Sequence, residues 1–100
     1  MAVRRYLDAS TAHITEQDDK LLREGVSGVI YYELSGGGYL IWVSPKEHPD
    51  MSAELDKQVK RAGLSDAFLG LIRYARQNWC DYIKLDGNGM KIEELPTFNW

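Results

Sequence analysis

One hundred residues, 44% hydrophobic and 27% charged, have the composition of a single globular domain, 1–100, with one core. A net charge of −3 argues against a protein held on nucleic acid by a basic field, and a single cysteine, Cys80, leaves no internal disulfide. The sequence shows no apolar leader and no membrane-length run, so the expectation is a cytoplasmic protein without membrane contact.

Residues 2–9 alternate. Val3, Leu7 and Ala9 fall on one side and Arg4, Tyr6 and Asp8 on the other, the period of a half-buried strand. The next residues, "STAH", lead into "ITEQDD", where Thr15 reads as an N-cap. Asp18, three residues on, completes a variant capping box, and the acidic first turn suits the helix dipole. That helix runs over 16–24 and stops at Gly25.

"GVIYYEL" (28–34) and "YLIWV" (39–43), joined by "SGGG" (35–38), predict a hairpin. "SPKEHPD" (44–50), with Pro45 and Pro49, predicts a loop. Met51, Leu55, Val59 and Ala62 then recur at helical spacing up to Gly63. A second helix starts at the cap Ser65, stapled by Leu64 and Leu69. It buries Phe68, Leu71, Ile72 and Ala75 and ends near Gln77. "DYIKLD" (81–86) alternates again, "GNG" turns, "MKIEEL" predicts a short final strand, and "PTFNW" ends the chain. The basic residues Lys57, Lys60, Arg61, Arg73 and Arg76 read as solvated helix faces, with local pairs such as Glu54–Lys57 and Asp56–Lys60.

Taking the two central helices as one split unit, the order βαββααβ predicts an α+β, two-layer ferredoxin-like sandwich. It has an antiparallel sheet with helices on one face. Placing Val3, Leu7, Ile83 and Leu85 inward sends Arg4, Tyr6, Tyr82 and Lys84 outward. In the hairpin, Ile30 and Ile41 are placed inward, and Tyr31, Glu33, Leu40 and Trp42 outward. The uncovered face then shows Tyr6, Tyr31, Trp42 and Tyr82. Such a face has three readings: a floor for the folded-back "LPTFNW" tail, a protein or homodimer interface, or a base-stacking sheet, which the acidic balance disfavours.

Ser10, Thr11 and His13 invite a nucleophile–base reading, but no Gly-x-Ser-x-Gly elbow surrounds Ser10, and a turn into the helix explains the same residues. His13, His48, Cys80, Asp8 and Asp86 show no paired metal-ligand spacing, and "SGGG" opens no helix that would cradle a phosphate. Neither a metal nor a cofactor is expected, and Cys80 reads as a small buried hydrophobe.

"YLDASTAHIT", "YARQNWCDYIKLDGNG" and "LPTFNW" together resemble a small uncharacterised bacterial domain family found on phages, plasmids and other mobile elements. The resemblance transfers no catalytic residue. It implies a non-enzymatic binding protein of a mobile element, an inhibitor of a host defence complex of the anti-CRISPR or anti-restriction type. The partner is expected to be a host protein, met either by the aromatic face or by Glu16, Asp18 and Asp19 acting as a phosphate mimic. The rivals are a small hydrolase or metal-dependent enzyme centred on His13, and a homodimeric scaffold.

Overall fold

A computed structural model describes residues 4–43 and 49–100. The chain forms β1 (Tyr6–Ser10), a 3-10 turn (Thr11–His13), α1 (Glu16–Glu24), β2 (Tyr31–Glu33), β3 (Tyr39–Trp42), α2 (Pro49–Arg61), α3 (Asp66–Gln77) and β4 (Tyr82–Asp86). Residues 44–48 of the expected loop lie outside the described residues, as do Val3 and His48. Pro49 and Asp50, expected in that loop, open α2 instead. Proline at a first helical turn gives up an N–H that has no partner there.

The four strands form one mixed sheet in the order β1-β4-β3-β2. This corrects the wholly antiparallel ferredoxin-like sheet. β1 and β4 run parallel, with Tyr6 opposite Tyr82 and Ser10 opposite Asp86, whereas β3 is antiparallel to both β4 and β2. The reason lies in the helices. α2 and α3 pack against each other, and Asp56 of α2 meets Arg73 and Arg76 of α3. Two packed helices return the chain to the end of the sheet it left, so β4 runs back along β3. A single helix would have delivered it to the opposite end. The same ion pairs replace the expected Asp56–Lys60 pair, and Glu54 accepts a hydrogen bond from Gln58 (2.9 Å).

One face of the sheet carries Leu7, Ala9, Tyr39, Ile41, Ile83 and Leu85. These pack with Leu22 of α1, Leu55 and Val59 of α2, and Phe68, Leu71, Ile72 and Ala75 of α3 in one core. The two leucines of the staple, Leu64 and Leu69, are both buried. α3 ends in a Schellman motif: Cys80 N–H donates to Ala75 O (3.0 Å) and Trp79 N–H to Arg76 O (3.0 Å). Trp79 therefore holds φ = 60°, the left-handed position usually given to glycine, and it is the only non-glycine with positive φ among the described residues.

The expected strand over "MKIEEL" does not form. Ile92 N–H goes to a histidine side chain rather than to a neighbouring strand, and Leu95 N–H closes a turn on Ile92 O (3.1 Å). No helix among the described residues is long and apolar enough to cross a membrane.

Candidate functional site

Two places gather side chains of functional type: the junction between β1 and α1, and the face of the sheet away from the helices.

At the junction, the capping box forms as expected. Asp18 N–H donates to Thr15 Oγ1 (3.0 Å), and Thr15 N–H donates to Asp18 Oδ2 (3.0 Å). Asp18 also accepts from Ser65 N–H (2.8 Å) and Ser65 Oγ (2.5 Å), while Ser65 Oγ caps α3 by accepting from Phe68 N–H (3.1 Å). One carboxylate, 1% exposed, thus fastens the first turns of two helices. Asp19 accepts from the Tyr39 hydroxyl (3.2 Å) and pairs with Arg23 (3.0 Å). Burial, then the Asp19 carboxylate, pushes the Tyr39 phenol up to about 12. Of the expected acidic patch Glu16, Asp18 and Asp19, only Glu16 faces solvent without such engagement.

His13 is 1% exposed and uses both ring nitrogens. Nε2 accepts from Ile92 N–H (2.7 Å), so the ring proton sits on Nδ1, which donates to Pro96 O (2.8 Å). The C-terminal segment is tied along the same turn. Ser10 N–H donates to Met90 O (2.9 Å), Phe98 N–H to Ala12 O (2.7 Å) and Trp100 Nε1–H to Ile14 O (3.0 Å). Ser10 Oγ accepts from Ala12 N–H (3.1 Å), capping the 3-10 turn. Histidine and serine here hold the tail in place. Both ring nitrogens are taken by backbone groups, and among the described residues no group of His, Cys, Asp or Glu is placed to hold a metal ion. Burial pushes the Cys80 thiol up, which makes it a poor nucleophile.

The tail follows this turn and leaves the outer face of the sheet open. Tyr6, Tyr82 and Trp42 stand in register across β1, β4 and β3, all outward. On β2 the expectation is corrected. Trp42 N–H donates to Ile30 O (2.9 Å), and Tyr31 pairs with Ile41, so Ile30 faces outward beside Trp42 and Tyr31 faces the helices. The Tyr31 hydroxyl donates to Leu22 O (2.7 Å) and accepts from Val26 N–H (3.0 Å), and its ring meets Tyr39 edge-on at 6.1 Å. The next row outward is Asp8, Lys84, Leu40 and Tyr32. Tyr6 (58%), Ile30 (53%) and Tyr32 (61%) are exposed on this face.

The model of the C-terminal domain of DUF5983, a family of unknown function, matches residues 6–100. The chain belongs to that family. No curated protein and no solved structure matches it.

Sequence reasoning missed two outward residues of this DUF5983 domain, Ile30 and Tyr32, although the turn length holds the signal. Leu34 N–H donates to Gly38 O (2.9 Å), closing the loop on three residues, and counting back from that pair puts Tyr32 opposite Leu40 and Ile30 opposite Trp42. Gly38 is required there, since a Cβ would lie 2.4 Å from Leu85 O. Where Ile30 and Trp42 meet α2, the outer row ends in a groove of about 330 Å³ with Met51 and Leu55 on its far wall.

Proposed function

We propose that this DUF5983 domain is a non-enzymatic protein-binding module whose contact surface is the outer face of its sheet. The observation that carries this reading is the registered row Tyr6–Tyr82–Trp42, continued by Ile30, on a face that neither helices nor tail cover. Aromatic side chains with polar tips give large contact area at small entropic cost, the composition that protein interfaces favour. Tyr32 takes the place that the sequence reading gave to Tyr31. The acidic turn contributes less, because Asp18 is spent on two helix caps.

The resemblance to small proteins of mobile elements supports a narrower version. In it the domain acts in the cytoplasm by occupying a host protein, as an inhibitor of a restriction or CRISPR complex. Capture from bacterial lysate with the tagged protein tests both levels. The reading expects one stoichiometric protein partner, lost on Tyr6→Ala/Tyr82→Ala with the circular dichroism spectrum unchanged. Expression in cells with active restriction or CRISPR immunity should raise phage plaque counts. Recovery of no stoichiometric partner overturns the binding module, and unchanged plaque counts overturn the inhibitor.

A further inference from the structure

We propose that the groove between α2 and the Ile30–Trp42 pair receives a partner segment in which an apolar side chain stands next to a lysine or arginine. The proposal rests on the binding-module reading and names the chemistry at one end of the same face.

The groove has an apolar floor and wall of Ile30, Trp42, Met51 and Leu55, with the carboxylates of Asp50 and Glu54 beside them on α2. Met51 (48%) and Ile30 (53%), which line it, are half exposed to solvent, so part of its apolar surface stands in water. At about 330 Å³ it lies at the small end of ligand sites, with room for a bulky side chain and a neighbouring stem rather than for a cofactor. Among the described residues the charged side chains lining it are Asp50 and Glu54, both acidic. A cation beside the apolar group therefore gains from both carboxylates, whereas an acidic neighbour is repelled.

One of the two carboxylates has a neighbour on its own helix. Gln58 Nε2 donates to Glu54 Oε1 (2.9 Å), which leaves Glu54 Oε2 for a ligand and restrains the carboxylate. Gly28 makes room for that glutamine. Its φ of +88° strains any side chain at this position, and a Cβ built there would lie 2.5 Å from Gln58 Oε1, so the glutamine would have to move. Arg61 lies further along α2, lining a separate hollow beyond Gln58, so the acidic and basic parts of the helix face different spaces.

The test is an NMR titration of the labelled protein with three blocked peptides, Ac-Gly-Leu-Arg-Gly-NH2 and its Gln and Glu counterparts. The Met51 methyl and Gly28 amide should shift. The Arg peptide should bind about three- to tenfold more tightly than the Gln peptide, and the Glu peptide most weakly. In Asp50→Asn/Glu54→Gln, two isosteric changes at exposed positions, that order should collapse to within about twofold. In the unaltered protein it should weaken as salt is added. Equal affinities, or absence of groove shifts at millimolar peptide, overturn the proposal. So does movement of the same resonances with protein concentration alone, which would make a second copy the occupant. If lysate capture depends on Tyr6 and Tyr82 while the three peptides bind alike, the binding module stands and the groove assignment falls.

Discussion

The junction from Ser10 to Asp19 and the outer row from Tyr6 to Ile30 differ in what their side chains do for the fold. At the junction nearly every polar atom is spent. Asp18 accepts three hydrogen bonds from Thr15 and Ser65, His13 uses both nitrogens on the tail, and Ser10 caps the 3-10 turn. On the outer face Tyr6, Ile30 and Tyr32 stand in water and fill no core position, with Trp42 and Tyr82 half-buried between them. Residues that carry chemistry on paper can thus be consumed by folding, and residues without reactive groups can be the ones left free for a partner.

The contrast is broken hardest at Asp18. Asp18→Ala leaves Thr15 N–H, Ser65 N–H and Ser65 Oγ without their acceptor at a part-buried junction, so urea unfolding should show a loss of about 2–3 kcal/mol. Alkali tests the same region through Tyr39, whose phenol is pushed up from 10.0 to about 12 in the folded state. Its contribution is whole below pH 10 and disappears as pH rises toward 12, with up to about 3 kcal/mol at stake in the unfolding midpoint. Tyr39→Phe should flatten that part of the profile.

His13→Ala frees the N–H of Ile92 and the carbonyl of Pro96 and should cost about 2 kcal/mol. The same change should expose residues 90–100 to limited proteolysis and shift Trp100 fluorescence to the red. On the outer face, Tyr6→Ser and Tyr32→Ser should each stay within about 0.5 kcal/mol of the parent. A larger loss there would mean that the face belongs to the fold after all.

Local signals were legible wherever the chain speaks only to its neighbours. Thr15 and Asp18, Ser65, the Leu64–Leu69 staple and the alternation in β1 and β4 each lie within a few residues of their partners. The direction of β4 was not, because alternation looks the same in parallel and antiparallel strands. It depended on reading Gly63 as the bend of a helical hairpin rather than a break in one helix. The site was half legible. Tyr6, Trp42 and Tyr82 follow from alternation, but the phase of β2 required the closing pair Leu34–Gly38. Asp18's second partner, Ser65, is 47 residues away, so nothing near it in the sequence separates a solvated carboxylate from a buried one.

That separation has a kinetic meaning. Each cap is local, Thr15 with Asp18 for α1 and Ser65 with Phe68 for α3, and the two are joined through Asp18, whose oxygens take Ser65 N–H and Oγ only once the helices have docked. Early in folding α1 has only its local capping box, and it gains the remaining bonds when the α2–α3 hairpin closes on it. The two ends therefore form and melt as one cooperative unit, and a probe placed at Thr15 should report the same unfolding transition as one placed at Phe68.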